Sequence, residues 1–110
     1  MTCKDKKLSQ LIREGAAELQ PVRGQYFEYE RLSGAPHKII GACALGCALY
    51  ACGVSSVVSK DLPSTFANIK GAHGKFKNTY TTLFDYIVDL NDNEQWDRLA
   101  IADEVERLGY

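Results

Sequence analysis

The residues of this 110-residue chain best suited to metal or nucleophilic chemistry are four cysteines and two histidines: Cys3, Cys43, Cys47, Cys52, His37 and His73. Cys43 and Cys47 are four positions apart, so on a helix they share a face and, with Cys52, His37 or His73, present thiolate and imidazole ligands of the kind zinc takes. Closed zinc sites favour Cys-x2-Cys pairs, however, and unligated thiolates among Ala and Leu would be costly. The expectation is no metal and no cofactor. A Cys43–Cys47 disulfide is disfavoured too, since a helix holds the two Cβ atoms about 6 Å apart. A catalytic cysteine needs an electropositive, reachable setting or a neighbouring base, and these surroundings are apolar. Gly-x-Ser-x-Gly, P-loop, dinucleotide and His-Glu-x-x-His motifs are all absent. The reading is therefore of a protein without catalytic residues.

A second group lies just before the most apolar stretch: Arg23, Tyr26, Tyr29, Arg31, Ser33, Gly34, His37 and Lys38. Beside a helix N-terminus, with its free N–H groups and positive dipole end, Arg23, Arg31, Ser33, His37 and Lys38 would suit an anion, and Tyr26 and Tyr29 could stack on a base. This makes a candidate site for an anionic or nucleotide-like ligand. The competing reading is a polar loop that packs its aromatics on the domain.

The element expected to position this group is Ile39 to Cys52, fourteen residues without a charge. As a helix it would be about 21 Å long, short of the roughly 30 Å of a bilayer core, so protein and not lipid should bury it. Pro36 and Ser33 suit its start and Gly53 suits its C′ position. Before it, residues 8, 11, 12, 15, 16 and 19 mark an amphipathic helix from about Asp5 to Leu19, stopped by Pro21, with Gly15 on the apolar face for close contact with the central helix. Residues 24–30 read as one short extended segment, with no clear second strand to pair with it. Val54 to Lys60 is ambiguous, Asp61-Leu62-Pro63 starts a short helix to about Lys70, and residues 71–74 are a connection. Tyr80, Leu83, Phe84, Ile87, Val88 and Leu90 mark a further helix from about Thr79, stopped at Asn91-Asp92, where a binding role comes second to the stop. A last helix takes Asp97 as N-cap, Ile101, Ala102, Val105 and Leu108 on one face, and Gly109 as C′. The fold expected is all-α: a single domain, residues 1–110, of four or five helices around residues 39–52.

Apolar residues at 45% and charged residues at 25% are ordinary for a globular domain. The net charge of −1 is uneven: residues 1–77 carry +5 and residues 78–110 carry −6. Acidic final helices would repel phosphates, so nucleic-acid binding is disfavoured, and any such contact would fall to Lys4, Lys6, Lys7, Arg13, Arg23 or Arg31. Lys4, Asp5, Lys6 and Lys7 lead into an amphipathic pattern and not an unbroken apolar run, so no secretory leader is read. A cytoplasmic protein with four free thiols, not held in a membrane, is the corresponding expectation.

Three stretches together resemble a group of small bacterial and phage proteins to which no activity is attached: Leu8-Ser9-Gln10-Leu11-Ile12-Arg13-Glu14-Gly15-Ala16, then Cys43-Ala44-Leu45-Gly46-Cys47-Ala48, then Leu90-Asn91-Asp92 with Trp96 and Ile101-Ala102-Asp103. The resemblance implies the helical order and a prokaryotic or phage source. The sequence departs from the group's pattern at Asp97, where Ser or Thr is expected, and at Ala100, where Glu would complete a capping box. The function expected is non-enzymatic: an accessory or regulatory protein acting through a protein partner or a second copy of itself, with a nucleotide-like small molecule as the alternative ligand.

Overall fold

The computed structural model describes residues 6–30, 38–53 and 83–110. Helix α1 (Leu8–Ala16) is followed by three strands, β1 (Gln20–Pro21), β2 (Phe27–Glu30) and β3 (Lys38–Ala42), and then by α2 (Ala44–Ala51). Helix α3 (Leu83–Val88) runs straight into a π-helical turn, Asp89–Asn93, and α4 (Arg98–Arg107) closes the chain. Helices and a mixed sheet share one core, so the all-α bundle is corrected to a mixed α and β fold. The elements expected over 54–82, including the Asp61–Lys70 helix and the 79–82 start of the next one, lie outside the described residues, as do Ser33 and Pro36.

The reason for the correction lies in Lys38-Ile39-Ile40-Gly41-Ala42. A short apolar run is equally a buried strand or a piece of buried helix, and here the β-branched Ile39 and Ile40 take the strand. This segment is also the missing partner of the 24–30 stretch. β3 sits in the middle of the order β1-β3-β2, parallel to β1 and antiparallel to β2. Phe27 faces Ala42 and Glu28 faces Gly41, after which the register shifts so that Tyr29 faces Ile39, leaving Ile40 as the extra residue of a bulge. Gly41 has strands on both sides: a Cβ there would come within 2.7 Å of Val22 Cγ2 and 3.0 Å of the Gln20 carbonyl.

The central helix is consequently shorter than 39–52. It begins at Ala44, with Cys43 as N-cap in extended conformation, and its buried residues are Ala44, Leu45, Gly46, Cys47, Ala48 and Leu49. Its far end is as the sequence suggests, with Gly53 at φ +88°, where an L side chain would be strained, donating its N–H to the Tyr50 carbonyl. Helix α1 is likewise shorter than Asp5–Leu19 and ends at Ala16, so Pro21 lies in β1 and does not stop it. Leu8, Leu11 and Ile12 of α1, Leu83 and Ile87 of α3, and Ile101, Ala102 and Val105 of α4 bury completely around α2. Gly15 meets the backbone of Cys47, the close approach expected of it. Asp97 caps α4 by accepting from the Leu99 N–H, and Gly109 follows that helix at φ +97°.

Asn91-Asp92 does not stop its helix. Both residues lie inside the π turn, where the helix widens, and it is Gln95, at φ +57°, that takes the left-handed conformation before α4. Of the cysteines, Cys43 and Cys47 are free and buried, whereas Cys52, at the end of α2, is disulfide-bonded. The expectation of four thiols fails at Cys52, which is half-buried against the core just past the end of α2. No helix among the described residues is long and apolar enough to cross a membrane.

Candidate functional site

The π turn places a buried amide at the centre of the molecule's polar network. Asn91 is 3% exposed, and its Oδ1 accepts the Ala44 N–H at 3.2 Å, satisfying one of the free donors at the start of α2. Its Nδ2 donates to the Val22 carbonyl at 3.1 Å and to Asp92 Oδ1 at 2.7 Å, which uses both amide hydrogens. Asp92 Oδ1 also accepts the Gly24 N–H at 3.0 Å. Three separate pieces of chain, the 22–24 loop, the start of α2 and the π turn, are thereby fixed to one another. Single-turn π-helical segments recur at functional sites.

Clefts open on two sides of Asn91. The first, about 160 Å³, has apolar walls from Tyr26, Leu45, Ile87 and Val88 and polar groups from Cys43, Asn91 and Asp92, with Gly24 and Gln25 at its edge. The second, about 230 Å³, runs from Pro21, Val22 and Arg23 to Gln95, Trp96, Asp97 and Arg98 and shares Asn91 with the first. Arg23 spans this second cleft, its Nη2 donating to the Gln95 carbonyl at 3.3 Å.

The thiol of Cys43 accepts the Gly46 N–H at 3.4 Å, standing in for the oxygen that usually caps a helix. Burial pushes its pKa up, against the pull of the backbone N–H groups that face it. The Tyr26 hydroxyl is also pushed up, first by burial and then by Cys43, Asp92 and Asp85. Cys47, fully buried, is pushed up to about 11, because burial outweighs the Arg98 guanidinium whose Nη1 lies 3.0 Å from its sulfur. Both cysteines are thus thiols and poor nucleophiles near neutral pH.

A pH dependence follows from the Cys47 shift. In the unfolded chain this thiol ionises near pH ~8.5, well before it does in the folded protein, so only the unfolded state gains from losing the proton over that interval. The stabilisation is complete below pH ~8.5 and is lost as pH rises through about 11. Urea midpoints should fall between pH ~8.5 and ~10.5, and Cys47→Ala should flatten that fall. An equal fall in the variant would assign the dependence to other groups.

The predicted ligand group is divided by this arrangement. Tyr26 lines the first cleft and Arg23 the second, whereas Tyr29 lies on β2 with its ring edge-on to Phe27 at 6.1 Å, outside both linings. Lys38 opens β3 and does not precede a helix start, so the anion site imagined at the beginning of residues 39–52 has no helix end to serve it. Arg31, Ser33 and His37 lie outside the described residues. Cys43 was visible as chemistry but not as a cap. The roles of Asn91 and Arg98 had no signal in the sequence beyond their types, since an amide and a guanidinium on amphipathic helices are ordinarily solvated. Compared with known proteins, the chain matches no family model, no curated protein and no solved structure.

Proposed function

We propose that this chain is a non-catalytic binding protein whose ligand is a small molecule held in the first cleft, between Tyr26, Leu45, Ile87 and Val88. The observation that carries this reading is the cleft itself: an apolar-walled space of about 160 Å³ beside a buried, fully hydrogen-bonded amide that fixes all three of the segments forming it. Binding sites combine such walls with a few convergent polar groups. An apolar cavity of about 150 Å³ is large enough for benzene, so the ligand, or the part of it that enters, is of that size. A thiol kept protonated by burial supports binding over nucleophilic chemistry. The protein-partner reading, motivated by the uneven charge and the absence of catalytic motifs, would have as exposed large apolar side chains among the described residues Tyr29, Trp96 and Leu99. Single apolar side chains of that kind are ordinary on any globular surface.

The test is a thermal-shift screen of ring-sized molecules against the wild type and Val88→Trp, whose indole should occupy the cleft. A ligand at a hundred times its dissociation constant adds about 2.7 kcal/mol, a rise of several degrees for a domain of this size. The rise should appear in the wild type and vanish in the variant. A shift of equal size in both would place the ligand elsewhere.

A further inference from the structure

The charge of the first cleft is negative among its described lining residues. Among the described residues that line it there is no Lys, Arg or His, and the single carboxylate is that of Asp92, with Asp85 near enough to act on the Tyr26 hydroxyl. The hydrogen bonds of that carboxylate are taken up on Oδ1, by the Gly24 N–H at 3.0 Å and Asn91 Nδ2 at 2.7 Å, and none falls on Oδ2 among the described residues. The carboxylate is therefore held in place through one oxygen while the other retains its accepting capacity. Asn91 adds no donor, since both its amide hydrogens are used within the protein. The cleft thus offers acceptors and negative charge together with hydrocarbon from Leu45, Ile87 and Val88.

We infer that the first cleft selects a small organic cation, an amine on an apolar or aromatic body of about ring size, with the ammonium against Asp92 Oδ2 and the body among Leu45, Ile87 and Val88. This rests on the reading of the cleft as the binding site and gives its ligand a class. It also reverses the sign of charge that the sequence suggested: of the cations expected to attract an anion, Arg23 belongs to the second cleft and Lys38 starts a strand, while Arg31 and His37 lie outside the described residues. An anionic ligand would meet Asp92 at short range with no opposite charge among the described lining residues to offset it.

The desolvation argument points the same way. A charge enters a mostly apolar space only when paired and hydrogen-bonded. An ammonium finds that pair in Asp92, and a carboxylate or phosphate would not. The protonated Cys43 thiol and Tyr26 hydroxyl can accept from the same ammonium without adding charge of their own.

Three probes of one size and different charge decide the matter: benzylamine, benzyl alcohol and benzoate, titrated calorimetrically into the full chain at pH 7. Benzylamine should bind about tenfold more tightly than benzyl alcohol, the usual gain of one charge-assisted hydrogen bond, and benzoate more weakly than either. Asp92→Asn, which keeps an oxygen for the Gly24 N–H, should bring the amine level with the alcohol. Should that variant not fold, raising salt on the wild type gives the same information, weakening benzylamine and leaving benzyl alcohol unchanged. Benzoate binding as tightly as benzylamine, or an amine preference that survives both Asp92→Asn and high salt, overturns the inference. If the three bind alike and Val88→Trp excludes them all, the cleft remains the binding site and only its charge selectivity is rejected. If none binds, both readings fall.

Discussion

Replacing Arg98 by methionine is expected to lower the melting temperature by more than about 12 °C, the equivalent of about 3 kcal/mol or more in a domain of this size. Arg98 is 7% exposed although it occupies the first position of α4, a place where such side chains usually reach water. Its Nη2 donates to the Leu19 carbonyl at 2.5 Å and the Ala16 carbonyl at 3.3 Å, just beyond and at the end of α1. Its Nη1 donates to the Ala42 carbonyl at 3.1 Å, the Gln20 carbonyl at 3.4 Å and Cys47 Sγ at 3.0 Å. One guanidinium therefore joins the end of α1, β1, β3 and α2 to α4, and its charge faces the negative end of the α1 dipole.

Methionine keeps much of the volume and removes every donor. Up to four carbonyls are then left to find other partners, and each buried group left unsatisfied costs about 1–3 kcal/mol. The gain from no longer burying a cation offsets part of this, because Arg98 makes no ion pair among the described residues and its Nε is buried without a hydrogen-bond partner among them. Arg98→Lys should recover less than half of the loss, since an ammonium cannot reproduce the planar fork that reaches two sets of carbonyls at once. Circular dichroism during thermal and urea unfolding measures both variants. A methionine variant that melts within about 2 °C of the wild type would mean that water already satisfies those carbonyls.

The same residue shows where sequence reading reaches its limit. Periodicity identified α1 and α4 and their apolar faces, and the type and position of Asp97 and Gly109 gave the ends of α4 and that of Gly53 the end of α2, because these signals act within a few residues of where they are written. Strand β3 was hidden by its own composition. Ile39 through Cys52 is continuous in hydrophobicity, so the strand-to-helix change at Cys43 leaves no polar mark, and the cap that fixes it is a sulfur helped by the Asn91 amide, which reaches Ala44 from 47 positions further along. Arg98 reaches Ala16 and Ala42 across 82 and 56 positions. Pairings at such separation are set by the packed fold and by no local pattern. Of the site, Arg23 and Tyr26 were legible as residues but their separation into two clefts was not, since it depends on the same long-range amide.

Two glycine substitutions should reverse the sign that helix propensity assigns them. In an exposed helix, Gly→Ala stabilises by up to about 1 kcal/mol. Gly15 in α1 and Gly46 in α2 are buried where a methyl group has no room. A Cβ on Gly15 would collide with the Cα and carbonyl of Cys47, across the contact between α1 and α2. A Cβ on Gly46 would fall on the Tyr26 carbonyl oxygen, which accepts the Cys43 N–H at 3.2 Å, and would come within 3.0 Å of Ala42 Cβ. In both places the obstacle is backbone and not the end of a flexible side chain, so relief requires one whole element to move from another. Overpacking of this kind costs about 1–3 kcal/mol and sometimes more. Each alanine variant should therefore lose about 2 kcal/mol or more, a fall of roughly 8 °C or beyond, and Gly46→Leu should be worse than Gly46→Ala. Gly46→Ala should in addition weaken any ligand of the first cleft, because Tyr26 and Cys43, which line that cleft, are joined by the hydrogen bond it disturbs. Unfolding curves for Gly15→Ala and Gly46→Ala give the answer directly. Stabilisation in either would show that α2 lies further from its neighbour than the close backbone contacts require.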